Sequence, residues 1–142
     1  MKGLLIGGLA ALLLSAGSAF AATENFTATL KGADETPPTT SAGTGALTAS
    51  LDTKSNVFKY SVTYSGLTGP AVAAHFHGPA PVGKAAGPVV PVPKDQMGAN
   101  PMTGQATLTA AQEKDLEGGL WYFNIHTAAN PGGEVRGQVT KQ

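Results

Sequence analysis

From residue 25 onward, apolar side chains recur at every second position in short runs, and each run is closed by glycine, proline, asparagine or aspartate. A period of two is the signature of a strand with one buried face, so the pattern restricts most of the chain to β-structure. Phe26, Ala28 and Leu30 fall on one face of the first run, with Thr27 and Thr29 on the other. Further runs occupy residues 44–51, 57–64, 71–77 and 120–127, with a last one at 134–140 and shorter pieces at 89–92 and 104–108. Between them, residues 33–43 read as a loop in which Pro37 and Pro38 forbid ladder pairing, and residues 78–101 are rich in proline and glycine. Only residues 109–117 look helical, with Thr109 as cap, Gln112 at the capping-box position, and Gly118 and Gly119 as the stop. Short strands separated by turns predict an all-β, antiparallel Greek-key sandwich or barrel with one short helix.

Residues 1–21 read as a signal peptide rather than as structure: Lys2 precedes an apolar run over residues 4–14, and Ala19, Phe20 and Ala21 form an A-x-A site. Cleavage after Ala21 removes 21 of the 142 residues and leaves 121, beginning at Ala22. The apolar run is short for a bilayer and no second one follows, so the mature chain is expected to carry no membrane span and to be periplasmic or secreted. With no cysteine, the chain has no disulfide, thiolate metal site or cysteine nucleophile, and must rely on its core. Nine Lys+Arg against nine Asp+Glu leave no basic surplus, which excludes a nucleic-acid partner.

The three histidines lie in two motifs, AHFHGPA from residue 74 and NIHTAANPGGEVRGQ from residue 124. In an extended strand His75 and His77 share a face, with Val72, Ala74 and Phe76 opposite as the apolar face. In the second motif Trp121, Phe123 and Ile125 are apolar, which places Tyr122, Asn124 and His126 on the other side. Two readings stand. Each histidine is half-exposed and bonded to a loop, or the three converge on a transition-metal ion of the kind that favours imidazole. In the last run Val135, Gly137 and Val139 should face the core, so that Glu134, Arg136 and Gln138 join the histidine face. Gly132 and Gly133 supply the backbone freedom that this hairpin needs. Arg136 is then either a surface salt bridge, with Glu35 as partner, or a catalytic residue that attracts small anions. Met97 and Met102 are loop contacts or thioether ligands for Cu(I), and Asp34 and Glu35 read as solvated loop charges.

The segments ADETPPTTSAGTG, YSVTYSGLTG, AAHFHGPA, LEGGLWYFNIHT and AANPGGEVRGQV together resemble a CHRD domain, a module named from chordin and also found alone in exported bacterial proteins. The resemblance runs from about residue 26 to 139 and identifies residues 22–142 as one CHRD-like domain. It implies an immunoglobulin-like or Greek-key β fold and supplies no activity. A shorter stretch, His75-Phe76-His77-Gly78, looks like the H-x-H strand that carries copper ligands in copper/zinc superoxide dismutases. That likeness implies His75, His77 and His126 as ligands and Arg136 as an anion-guiding residue. The chain lacks that family's cysteine pair, zinc-loop histidines and fourth histidine, so only a mononuclear version fits. The expected function is an exported protein binding copper, or zinc in second place, that stores or carries the ion or dismutates superoxide. The alternative is a non-catalytic interaction or structural module with a protein partner and no metal. Exported protein should begin at Ala22, and intact-mass measurement should return residues 22–142.

Overall fold

Each alternating run forms a strand. The chain order is β1 (Thr23–Lys31), β2 (Thr44–Asp52), β3 (Val57–Ser65), β4 (Ala71–His77), β5 (Pro88–Pro91), β6 (Met102–Thr107), helix α1 (Ala110–Glu117), β7 (Tyr122–Thr127), β8 (Val135–Gln138) and β9 (Thr140–Lys141). This is a computed structural model that describes Gly17 and residues 22–142, so the expected signal peptide at 1–21 lies, apart from Gly17, outside the described residues.

The strands pair in the order β5-β4-β7-β8-β1-β2-β3-β6, with β9 beside β1. β1, β2 and β3 form an antiparallel meander in continuous register. β6 then lies beside β3, and β7, after the helix, returns to lie beside β4; these are the crossovers of a Greek key. The sheet curls into a nearly closed barrel, as the alternation predicted. The core centres on Phe58, whose ring centroid lies 5.2 Å from Phe76, 5.8 Å from Trp121 and 6.4 Å from Phe26 in edge-on contacts. Leu30, Leu47, Leu51, Val62, Ile125, Val135 and Val139 fill the rest. At Gly104, opposite Tyr60 in the β3–β6 ladder, a Cβ would collide with the tyrosine ring, so only glycine lets that ring lie there. Helix α1 is capped as its sequence predicted: Thr109 accepts from the Gln112 amide while the Gln112 side chain accepts from the Thr109 amide.

Four residues depart from the sequence reading. In β4, Ala71 pairs with Thr127 and Ala73 with His126, so Val72 is the extra residue of a bulge. Ala71 turns inward in its place, and Val72, expected in the core, is 56% exposed. Met102 is not a loop residue but the buried first residue of β6, and Met97 packs against the core, so neither offers sulfur to the histidines. The last expected strand breaks at Val139, whose amide donates to the Trp121 carbonyl before β9 passes to β1. Phe58→Ala should therefore cost about 3–5 kcal/mol, whereas Val72→Thr should change stability by less than about 0.5 kcal/mol. Urea unfolding of the two variants measures both, and a large loss at Val72 would contradict the bulge.

Candidate metal centre

Because Phe76, Phe123, Ile125 and Val135 point into the barrel, their neighbours on β4, β7 and β8 point out. Register then sets who meets whom. His77 stands opposite Tyr122, His75 opposite Asn124, and Asn124 opposite Arg136. The bulge in β4 sets His126 opposite Ala73, diagonal to His75. All three histidines meet, offering one nitrogen each within 4.8 Å of one another.

The nitrogens are already sorted by their partners. His77 Nδ1 lies 2.9 Å from the Ala86 carbonyl, and His126 Nδ1 lies 2.9 Å from the Pro131 carbonyl. A carbonyl only accepts, so each Nδ1 carries the hydrogen; this leaves the His126 Nε2 lone pair free, whereas His77 Nε2 faces a second acceptor, Asn124 Oδ1. His75 presents Nδ1 to His126 Nε2 at 3.3 Å. That separation is what two nitrogens bonded to one ion at about 2.0–2.1 Å adopt near the tetrahedral angle. His77 is further fixed by stacking on Tyr122 at 4.7 Å, and the Tyr122 hydroxyl also donates to the Ala86 carbonyl. Its Nε2 stands 3.0 Å from Asn124 Oδ1. Burial, and then the neighbouring imidazoles, lower the pKa of His75. Burial likewise lowers that of His77, although its bonds to Ala86 and Asn124 oppose the shift. Both rings therefore favour the neutral form, which is the form that binds metal.

Arg136 shares this face, as parity predicted, but it is not a surface residue. It is 1% exposed, with its guanidinium carbon 3.5 Å from the Tyr122 ring centroid. Nη1 donates to Thr36 Oγ1 at 3.1 Å and Nη2 to Gln138 Oε1 at 3.4 Å. Among the described residues no carboxylate pairs with it, so the expected surface salt bridge to Glu35 is absent.

Two buried acids were not anticipated. Glu35 is only 4% exposed, and burial raises its pKa against the opposing pull of the Thr36 amide, Asn124, His126 and Arg136. Gly133, at φ 123°, makes room for it, since a Cβ there would strike both Glu35 and Asn124. Glu134, expected on the histidine face by parity, is fully buried and turns its carboxylate to Thr127, which shares the core-facing parity of Phe123 and Ile125, rather than to the histidines. Its carboxylate accepts from the Thr68 amide at 2.9 Å, from the Thr68 hydroxyl, from Thr127 Oγ1 at 2.8 Å, from Ser41 Oγ at 3.0 Å and from Asn130 Nδ2 at 3.0 Å. Burial alone would raise its pKa, but these bonds outweigh it and hold the group at about 2. Thr127 and Asn130 are near neighbours in the same hairpin, but Ser41 and Thr68 come from loops 93 and 66 residues away, and nothing in the sequence signalled the burial they produce.

The CHRD domain family model matches residues 26–139 of the chain. No curated protein and no solved structure gives a match.

Glu134 stabilises the fold as an anion, with a folded pKa of about 2 against an ordinary 4.5. Its contribution is complete above about pH 4.5 and is lost as pH falls through that interval. Glu134→Gln should lower stability by about 1.5–3 kcal/mol at neutral pH. It should also flatten the acid limb of a plot of melting temperature against pH, which thermal unfolding between pH 2 and 7 records.

Proposed function

The chain belongs to the CHRD-domain family, and on that premise we propose that it is an exported protein binding one transition-metal ion through His75 Nδ1, His77 Nε2 and His126 Nε2. The observation that carries this reading is the convergence of three imidazole nitrogens in which two rings already donate Nδ1–H to backbone carbonyls. Such outer contacts fix the tautomer and aim the lone pair, as they do around metal-bound histidine generally. Among the described residues the cluster holds three histidines and no carboxylate. An all-imidazole set favours copper over zinc in the stability order of divalent ions. With three protein ligands, a coordination position stays open for water or a small ligand.

Storage or carriage needs only this set. Superoxide dismutation is the redox extension of the same reading. In it Arg136, whose guanidinium stands against Tyr122 rather than at the imidazoles, contributes positive potential over the face.

Metal-free protein titrated with Cu(II) should take up one equivalent, with nitrogen coupling in its electron paramagnetic resonance spectrum. Replacing His77 or His126 by alanine should weaken binding by about tenfold or more. Because His75 and His77 hold their protons below the ordinary 6.5, affinity should persist through pH 6.5 and fall only as pH drops further. Failure to bind stoichiometric copper or zinc would sink the reading and leave the non-catalytic interaction module. Copper uptake with no gain in superoxide decay over the triple histidine variant would favour storage or transport.

A further inference from the structure

The three imidazoles are not held alike. His77 is fixed by the Ala86 carbonyl, by stacking on Tyr122 and by Asn124, and His126 is fixed by the Pro131 carbonyl. His75 has no such support. Among the described residues its Nδ1 meets only His126 Nε2, at 3.3 Å, and its Nε2 bonds nothing. Its cross-strand neighbours are Asn124, which gives its Oδ1 to His77, and Pro91, which has no N–H. The buried side-chain polar atoms without a partner belong, among the described residues, to Glu24, Glu35, Tyr60 and Trp121, so His75 Nε2 opens to solvent.

We propose that His75 is the exchangeable ligand of the set, the point at which the ion enters and leaves, and that the site hands Cu(II) to an incoming amine or imidazole nitrogen. The inference rests on the metal reading and adds to it a route of transfer. Outer contacts of a metal-bound histidine are worth about 10–100-fold in affinity, and His77 and His126 have them. His75 must be ordered by the ion itself, which subtracts from what its bond contributes. Once the ion stands between the rings, it replaces the one hydrogen bond that His75 Nδ1 makes.

Three protein ligands leave a coordination position open, so the incoming nitrogen can bind before His75 departs. The bond from copper to the incoming nitrogen forms, the bond from copper to His75 Nδ1 breaks, and copper stays Cu(II). While bound, His75 carries its hydrogen on the solvent-facing Nε2. On release that hydrogen passes to water, and Nδ1 takes one from water to resume its bond to His126 Nε2 after the ion has gone. His77 and His126 keep their Nδ1–H bonds to Ala86 and Pro131 throughout. A set with two braced ligands and one unbraced ligand suits carriage, which has to give the ion up, better than a catalytic cycle that has to retain it.

Copper-loaded protein mixed with free histidine tests this. Copper should pass to histidine at a rate that rises in proportion to the histidine concentration. His75→Ala should weaken Cu(II) at least about fivefold less than His77→Ala or His126→Ala does. Added imidazole should fill the solvent-facing gap in His75→Ala and restore its nitrogen-coupled paramagnetic spectrum. It should not do so in His77→Ala, because His77 is buried. In Zn(II)-loaded protein the Nε2–H of His75 should exchange with water at least about tenfold faster than the Nδ1–H of His77. A transfer rate independent of histidine concentration overturns the proposal. So does an equal loss of affinity in the three folded variants, imidazole rescue of His77→Ala, or equal hydrogen exchange at His75 and His77. The rate law and the hydrogen exchange use wild-type protein, so they decide even where a variant fails to fold. Wild-type protein that takes up neither copper nor zinc overturns the metal reading and this inference together, whereas uptake of one equivalent by three equally held ligands overturns this inference alone.

Discussion

A pleated strand delivers its side chains to two faces in turn, and in β4, β7 and β8 the inner face is taken by aromatic and branched residues gathered around Phe58. Everything else about the site depends on that allocation. With Phe76, Phe123, Ile125 and Val135 inside, His75, His77, Asn124, His126 and Arg136 have only the outside to occupy. Much of that outside is not water. The proline loop after β1 and the segment between β4 and β5 lie over it, so that His77, Asn124, Glu134 and Arg136 are buried. A buried polar group without a partner costs about 1–3 kcal/mol, so a second, polar layer had to be built whose members bond one another, Glu35 Oε1 being the oxygen left without a partner in it.

This explains how far the sequence could be read. Parity is a local property, and it placed the three histidines and Arg136 on one face without knowledge of the fold. It also marked the strands and, through Thr109 and Gln112, the helix. It failed at Val72, because a bulge inserts one residue and reverses parity on one side of itself, while valine has the same β-propensity in either register. The methionines were misread for a related reason. Met102 follows a proline-rich stretch that reads as loop, yet it begins the strand that β3 recruits across the crossover. Glu35 reads as a solvated loop charge because charge suggests solvent, while alternation carries no sign of burial for Glu134; Glu35 meets Thr36 and Asn124, and Glu134 meets Ser41, Thr68, Thr127 and Asn130. Pairings that the tertiary fold creates, near or far in sequence, leave no periodic trace.

The orientation of the imidazoles is likewise a long-range product. Two rings are aimed by carbonyls that belong to loops, Ala86 and Pro131, and each loop is tied down independently. Ala86 is bracketed by Tyr122, whose hydroxyl bonds both its amide and its carbonyl. The turn that carries Pro131 is closed on the buried Glu134 through Asn130 and Thr127. A ligand set held by rigid outer contacts loses little side-chain entropy on binding, which is the usual route to high affinity from few ligands.

Glu134 does for the folded state what a cross-link would do in a chain with cysteines. It joins the loop at Ser41, the turn at Thr68 and the hairpin at Asn130, segments up to 93 residues apart. The physical basis differs from that of a disulfide. A disulfide restricts the unfolded ensemble, whereas the carboxylate hub stabilises only the folded one and depends on its ionisation. Such a clamp is indifferent to redox conditions and fails in acid. It also keeps thiolate out of the molecule, and thiolate is the soft donor that would otherwise compete with imidazole for copper or be oxidised beside it. For the copper reading, the lack of cysteine is therefore consistent with the donor set: it confines the strong nitrogen and sulfur ligands of the described residues to the three rings on the outer face of β4 and β7.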